Sequence, residues 1–121
     1  MYFYQHSNAG RAGHVDPALY ENFFYAMHLH ADLELVWLRR GTLTLRLRDR
    51  EEALEAGMFA LILPHELHAY ATPGRSEAFV CVFSGDYVPA FLHALGGRRG
   101  RRSAFQGTDA LRAMVGDAFF A

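Results

Sequence analysis

The pattern that most restricts the fold of this chain is a strict alternation of apolar and polar side chains over residues 42–48. Leu43, Leu45 and Leu47 fall on one face of an extended chain, and threonine and arginine side chains fall on the other. A period of two is typical of a β-strand that is buried on one side and wet on the other. We therefore predict a half-buried strand at this position.

Further strand-like runs cover most of the first two thirds of the 121-residue sequence. They are short and separated by glycine, proline or charged turns, at residues 23–30, 34–39, 52–57, 58–63, 67–72 and 76–83. Many short strands with turn signals between them indicate an all-β barrel or sandwich. Residues 52–57 are also compatible with a short helix, because glutamate, alanine and leucine favour helix.

The two ends of the chain depart from this pattern. Residues 1–20 contain glycine and proline breakers and are predicted to be irregular. Residues 88–95 have helical spacing and are followed by two glycines, which commonly end helices. A final helix is predicted over residues 110–115, with Thr108 or Asp109 as its N-terminal cap.

These patterns divide the chain into three predicted segments. They are an N-terminal arm over residues 1–20, a barrel over residues 21–87 and a C-terminal helical segment over residues 88–121. The last residues are apolar and have no polar tail. We therefore expect either that the natural polypeptide continues beyond Ala121 or that this apolar face packs on a partner.

Composition narrows the functional classes. The formal net charge is -1, so no global field draws the chain to nucleic acid or to an anionic membrane. The single cysteine, Cys81, lies in an apolar run and is predicted to be a core residue in a reducing compartment. No apolar stretch is long enough to span a bilayer, and no signal peptide is evident. We expect a cytoplasmic protein with no membrane partner.

Four side chains form the strongest candidate site. His28 and His30 are two residues apart on a predicted strand, so they leave the same face with Cα atoms about 6.6 Å apart. Glu34 begins the next predicted strand, and His68 comes from a distant one. Three imidazoles and a carboxylate suit zinc, iron, nickel or copper better than magnesium or calcium. Alternatively, the four are polar residues of a pocket mouth, hydrogen-bonded to one another and to water.

Other candidates have a plainer explanation beside the functional one. Four aromatic residues could line the barrel and are mostly expected in the core: Tyr25, Trp37, Phe59 and Tyr70. Of these, Trp37 and Tyr70 are predicted to contact a ligand. His65 is either an alternative metal ligand or, more simply, a solvent-facing loop residue. The arginines of residues 98–102 could contact phosphate, but an exposed solvated loop is the simpler interpretation.

The spacing His28-x-His30-x3-Glu34-x6-Gly41 resembles the first motif of the cupin superfamily. The glycine that precedes the first histidine in that motif is replaced by Asn22. The second cupin motif is only partly present. Its glycine, proline and histidine correspond to Gly57, Pro64 and His68, but the last spacing is one residue short and the following asparagine is missing. The resemblance implies a cupin-type double-stranded β-helix, or jelly-roll barrel, with the predicted arm and one or two C-terminal α-helices.

The altered second motif resembles the sensor domain of AraC-type transcription regulators. That resemblance implies a small polar effector, such as a sugar, bound among His28, His30, Glu34 and His68. It also implies a homodimer formed through the helices, and DNA binding only through a module outside this chain. A divalent transition metal, zinc, nickel or iron, is an optional cofactor of the four residues.

Two other functions remain open. A stand-alone cupin with three histidines and a glutamate resembles metal-dependent dioxygenases and isomerases, although those enzymes usually keep the second motif better. A plain dimerisation domain with a vestigial pocket is the third alternative. Under the regulator hypothesis the chain is not an enzyme and has no catalytic residues.

Overall fold

The computed structural model describes residues 3–4, 15–96 and 102–120. The described strands are β1 (Phe3–Tyr4), β2 (Val15–Glu21), β3 (Tyr25–Leu29), β4 (Leu33–Leu47), β5 (Glu51–Glu55), β6 (Met58–Ile62), β7 (His68–Ala71), β8 (Ser76–Phe83) and β9 (Ala104–Gln106). The helices are a short 3-10 turn (Gly85–Tyr87), α1 (Pro89–Leu95) and α2 (Asp109–Phe120). The predicted mostly-β architecture with C-terminal helices is confirmed.

The strands form two sheets that share the long strand β4. One sheet has the order β1-β3-β7-β4-β5, and the other has the order β2-β8-β4-β6-β9. All described pairs are antiparallel except β1 with β3. The first part of β4 pairs with β6 and β8, and its last part pairs with β5 and β7. This arrangement is a jelly roll, as the cupin resemblance implied.

Gly41 lets β4 pass from one sheet to the other. Its φ is 79°, and a Cβ atom there would lie 1.8 Å from the carbonyl oxygen of Arg75, so only glycine fits. Two strands, over residues 34–39 and 42–48, were predicted here because glycine usually ends a strand. That prediction is wrong: the chain continues as one strand of 15 residues.

The main core lies between the two sheets. Leu43, Leu45 and Leu47 are all buried in it, so the alternation predicted from sequence is confirmed. Full burial of one such side chain stabilises a fold by about 1.5–3 kcal/mol. Because β4 supplies core residues along its whole length, it is the strand on which the barrel most depends.

A second apolar cluster lies on the opposite face of β4, β6 and β8, where α2 covers the sheet. Its buried members are Phe59, Phe79, Cys81 and Val115, with Leu35, Trp37, Phe83 and Leu111 packed against them. Cys81 is therefore a core residue, as predicted. Burial raises the pKa of its thiol to about 11, which makes it a poor nucleophile.

The N-terminal part of the chain differs from the prediction. Residues 15–20, expected to be irregular, belong to β2, which pairs with β8 along its whole length from Val15 to Glu21. Among the described strands β2 pairs only with β8, so Pro17 lies in an edge strand, where a missing N–H is harmless. The division at residues 20 and 87 otherwise stays a prediction.

The C-terminal part follows the prediction closely. Gly96 ends α1 in the left-handed conformation, and the Thr108 hydroxyl accepts a hydrogen bond from the Leu111 N–H at 3.0 Å.

Residues 51–55 form a strand and not the alternative helix. Residues 97–101, which hold most of the basic loop, lie outside the described residues. No helix in the described part of the chain combines the length and apolarity that crossing a bilayer requires.

Strand β9 was not predicted. The Glu52 carboxylate accepts hydrogen bonds from the Ser103 and Ala104 N–H groups at 2.9–3.1 Å and from the Arg50 Nε at 2.7 Å. This carboxylate therefore fixes the start of β9 against the barrel. The pairing of β9 with β6 follows from that long-range contact, which no local pattern reveals.

Candidate functional site

The structure brings together the four residues on which the sequence prediction rested. His28 lies on β3, His30 in the turn after it, Glu34 on β4 and His68 at the start of β7. Their candidate ligand atoms all lie within 4.8 Å of one another, and all four side chains are buried. Backbone register explains the convergence, since His28 is paired with His68 across β3 and β7. The roles of these residues as ligands stay predictions.

Each histidine is held through its Nδ1 atom by a backbone carbonyl two residues away. The acceptors are Ala26 at 2.8 Å for His28, Asp32 at 2.9 Å for His30 and Glu66 at 2.7 Å for His68. A carbonyl oxygen can only accept, so Nδ1 carries the proton in all three rings. In a neutral ring the Nε2 lone pair is then directed into the cluster. This is the orientation that metal-binding histidines require.

The fourth member, Glu34, lies between the histidines. Its Oε1 is 3.2 Å from Nε2 of His30, and its Oε2 is 3.5 Å from Nε2 of His68. The buried Tyr70 hydroxyl donates a short hydrogen bond to Oε2. In the part of the chain that the structure describes, Nε2 of His68 has no hydrogen-bond partner although it is buried. The three Nε2 atoms and the two Glu34 oxygens therefore offer more lone pairs than there are hydrogen-bond donors to satisfy them.

The protonation states agree with that geometry. Burial alone would raise the pKa of Glu34, but contacts with His30, His68 and Tyr70 outweigh burial and hold its pKa well below the usual range. Burial would also lower the pKa of His30, but the contact with Glu34 raises it overall. Burial and the neighbouring His68 lower the pKa of His28 to about 4. At neutral pH the site therefore holds an ionised Glu34 and a neutral His28, and the carboxylate favours the protonated form of His30.

This donor set fits a divalent transition metal ion. Three imidazole nitrogens and one carboxylate are common ligands of zinc and iron. Nε2 of His68, buried without a hydrogen-bond partner in the described residues, is the atom that such an ion would satisfy. Outer hydrogen bonds from each Nδ1, and from Tyr70 to Glu34, already fix the orientation of the ligands.

The other predicted ligand contacts have different outcomes. Tyr70 lies at the site, but its hydroxyl is engaged by Glu34. Burial and the neighbouring carboxylate raise its pKa well above the usual range, so it is a permanent donor. Its predicted contact with a ligand stays a prediction. His65 is exposed in the turn after β6 and is not part of the cluster, as the simpler interpretation held.

Trp37 does not line the barrel interior, and the prediction that it does is wrong. It stands three residues from Glu34 on the same strand, and an odd separation places the two side chains on opposite faces. Trp37 stacks on Phe59 with ring centroids 5.7 Å apart, and the Arg39 guanidinium lies 5.4 Å from its ring centre. Phe59 shares this outer face. The strand period could have revealed both errors from the sequence alone.

A small cavity adjoins the cluster. Its volume is about 70 Å³, and its lining residues are Asp16, Ala18, Tyr20, Phe23, Tyr25, His28, Glu34, Val80 and Val82. Sites for drug-sized ligands measure about 300–1,000 Å³, so this cavity holds only a few water-sized groups. Sequence reasoning missed the β2 contribution, Asp16 and Tyr20, because Pro17 concealed the strand.

A jelly roll with three histidines and a glutamate converging inside it defines the cupin class. The chain matches the family model described as the AraC-like ligand binding domain over residues 18–119. Because that match spans most of the sequence, the chain belongs to this family. Membership favours a regulatory ligand-binding domain over an enzyme.

Solved structures show the same fold at low sequence identity. A cupin-2 domain protein from Shewanella frigidimarina is 23% identical, with a TM-score of 0.52 over 55% of this chain and 68% of its own. A cupin superfamily protein from Desulfitobacterium hafniense is 16% identical, with a TM-score of 0.56 over 63% of this chain and 72% of its own.

The similarity to ToxT from Vibrio cholerae, solved with a bound unsaturated fatty acid, extends further along this chain. The two are 11% identical, with a TM-score of 0.63 over 88% of this chain and 47% of ToxT. This chain therefore corresponds to about half of that protein. No curated protein matches the chain.

Proposed function

We propose that this chain is the effector-sensing and dimerisation domain of an AraC-type transcription regulator in the cytoplasm. The observation that carries the proposal is a small cavity bounded on one side by His28 and Glu34 and on the other by β2. The cavity has polar groups on its floor and aromatic and aliphatic side chains around them, which is the usual composition of a small-molecule site.

The effector is a small polar molecule. Hydroxyl or carboxylate groups would hydrogen-bond to the histidine and glutamate atoms, and Phe23 and Tyr25 would exclude water from those bonds. A cavity of about 70 Å³ admits only a few such groups while β2 stays in place. A full sugar would have to displace β2, which is an edge strand. The size of the effector therefore decides whether binding moves the N-terminal part of the domain.

Such a movement provides a route from effector to regulation. Within the described ranges, strand β2 is paired only with β8, and β8 also carries Phe79 and Cys81, which pack in the outer cluster with α2. A displacement of β2 would thus be transmitted through one strand to the helix. We propose that α1 and α2 form the homodimer contact, since Phe91 and Met114 on these helices are 43% and 65% exposed. DNA binding would belong to a module outside this chain.

We also propose that a divalent transition metal, zinc, nickel or iron, binds at the cluster. His28, His30 and His68 would hold it through Nε2, and Glu34 through its carboxylate. When bound, the metal would supply a Lewis-acidic contact for an oxygen of the effector. The residues themselves set the histidine tautomers, hold Glu34 ionised and keep bulk water out.

The second candidate is a metal-dependent cupin enzyme of the dioxygenase or isomerase class. The observation that favours it is the complete four-ligand set, which a purely structural pocket does not need. It predicts chemical turnover of a bound molecule, whereas the sensor binds its effector and releases it unchanged.

The test uses the 121-residue chain purified without a histidine tag. We expect close to one equivalent of bound metal, and a rise in melting temperature with a set of small sugars and hydroxy acids. Both should be lost in His30→Ala and kept in His93→Ala, a matched change at an exposed histidine on α1. No shift with any compound would contradict the sensor proposal, and conversion of a compound to product would favour the enzyme.

A further inference from the structure

A second and larger cleft lies where β2, β4 and β8 meet, away from the histidines. Its volume is about 410 Å³, and its lining residues are Glu21, Asn22, Arg40, Gly41, Arg75, Ser76 and Glu77. Glu34 and Arg40 are six residues apart on β4, which corresponds to roughly 20 Å along an extended strand. The cleft is therefore separate from the effector cavity, and its volume falls within the range of small-molecule sites.

A β-bulge directs one of the arginines into this cleft. On β4, Leu38 pairs with Ala78 and Arg40 pairs with Glu77, so Arg39 is one extra residue in the ladder. Bulges re-aim side chains and occur often beside functional sites. Arg39 uses its guanidinium on the Trp37 ring and on the Glu77 carboxylate, at 3.4 Å. Arg40 is left to line the cleft.

Three of the four charged side chains that line the cleft lack a partner in the described residues. In the described part of the chain, the guanidinium groups of Arg40 and Arg75 and the carboxylate of Glu21 make no hydrogen bond or ion pair. Glu77, the other acid of the cleft, is engaged by Arg39. Three arginines elsewhere are paired with carboxylates, in the pairs Arg46–Glu51, Arg50–Glu52 and Arg112–Asp109. Arg48 and Arg102 are exposed and have no ion pair in the described residues. Arg40 and Arg75 thus line one cleft without a carboxylate partner, and a bound anion would supply one to both.

Hydrogen bonds hold the backbone that lines the cleft. The backbone N–H of Asn22 donates to the Ser76 carbonyl at 2.8 Å, and its side-chain Oδ1 accepts from the Ser76 N–H at 3.1 Å. The Thr42 N–H donates to the Arg75 carbonyl at 3.0 Å, against the glycine that no other residue can replace. The cleft thus combines a hydrogen-bonded backbone with exposed charged side chains.

We propose that this cleft binds a small organic anion. Arg40 and Arg75 would donate to its carboxylate or phosphate group, since a planar guanidinium matches both geometries. Glu21 would accept from a hydroxyl or ammonium group of the same molecule. This site is independent of the histidine cluster, so the domain would bind two different ligands.

The proposal is tested by isothermal titration of the 121-residue chain with malate and, separately, with inorganic phosphate, at constant ionic strength set with sodium chloride. We expect a dissociation constant below about 1 mM for at least one of the two anions. The Arg40→Gln/Arg75→Gln double variant should bind at least about tenfold more weakly, because both charged donors are lost. Arg48→Gln, a change at an exposed arginine outside the cleft, should bind as the unmodified chain does.

Several outcomes would overturn the proposal. Absence of heat with both anions would do so, as would equal affinity in the double variant, which would indicate the arginines of residues 98–102 instead. Each single variant is also titrated, so that a folding defect in the double variant leaves the question answerable. Binding of malate alone would identify a carboxylate, and binding of phosphate alone a phosphate group. His30→Ala should keep the anion site, which separates this test from that of the effector cavity.

Discussion

The two sites differ in how they are prepared for a ligand. In the histidine cluster every ring is oriented by a main-chain hydrogen bond, and Glu34 is held by Tyr70 in a buried setting. In the larger cleft, lined by Arg40 and Arg75, the backbone is held by hydrogen bonds, but the two arginines are exposed and unpaired within the described residues. The cluster obtains affinity from preorganised short contacts, whereas the cleft relies on charge that salt can screen. Their responses to mutation should therefore differ in kind.

The largest effect is expected when the carboxylate is removed from the cluster. Glu34→Ala deletes a proposed ligand, so zinc or nickel affinity should fall by more than about 100-fold, beyond the range for outer contacts. The measurement is a competition titration against a chromophoric chelator. Glu77→Ala, at the cleft, is the matched control and should leave metal affinity unchanged. Equal affinities in the two variants would mean that the cluster is not the metal site.

The next effect concerns pH in metal-free protein. Burial lowers the pKa of His28 from 6.5 to about 4. Between pH 4 and pH 6.5, His28 is therefore protonated in the unfolded chain and neutral in the folded chain. Stability should therefore fall as pH falls from 6.5 to about 4, by about 3 kcal/mol at most. The raised pKa of His30 acts on the other side of 6.5, where stability is lost as pH rises. Urea unfolding in EDTA measures this, and His28→Gln should flatten the slope below pH 6.5.

A smaller effect is expected from the hydroxyl that orients Glu34. Tyr70→Phe keeps the ring in the core but removes the hydrogen bond to Oε2, so metal affinity should fall about 10–100-fold. Tyr87→Phe, a change at an exposed tyrosine, should have no effect. If Tyr70→Phe binds metal as well as the unmodified chain, the outer contact does not position the carboxylate.

The smallest effect is expected at the cleft in the absence of ligand. Arg75 is exposed and has no ion pair in the described part of the chain, so Arg75→Gln should change the free energy of unfolding by less than about 0.5 kcal/mol. Chemical denaturation measures this value. A loss of several kcal/mol would show that Arg75 is a structural residue, and the contrast between the two sites would then disappear.

The sequence predicted the histidine and glutamate cluster better than the strand and the aromatic residues around it. The spacing of His28, His30 and Glu34 is a local pattern, and the turn between β3 and β4, which carries His30, brings these three residues close together. Trp37 was misplaced because its aromatic character was weighed above its odd separation from Glu34. Strand β2 was missed because Pro17 is a breaker in the middle of a sheet and harmless at an edge.

Features that depend on distant pairing were out of reach. Strand β9 exists because Glu52 holds the Ser103 and Ala104 amides. The larger cleft depends on the one-residue β-bulge at Arg39 in the pairing of β4 with β8. Because Arg39 forms the ion pair with Glu77, Arg40 has no carboxylate partner and lines the cleft. Neither the β-bulge at Arg39 nor the hydrogen bonds of Glu52 can be predicted from a short stretch of sequence.

The hydrogen bonds that orient the three histidine rings also have an evolutionary consequence. Their acceptors are main-chain carbonyls at Ala26, Asp32 and Glu66, and every amino acid has such a carbonyl. Substitution at these positions can change the side chain without deleting the acceptor. The orientation of the rings can thus be inherited through the path of the backbone while the neighbouring sequence drifts. Relatives with the same site are better sought by strand geometry and histidine spacing than by the identity of the flanking residues.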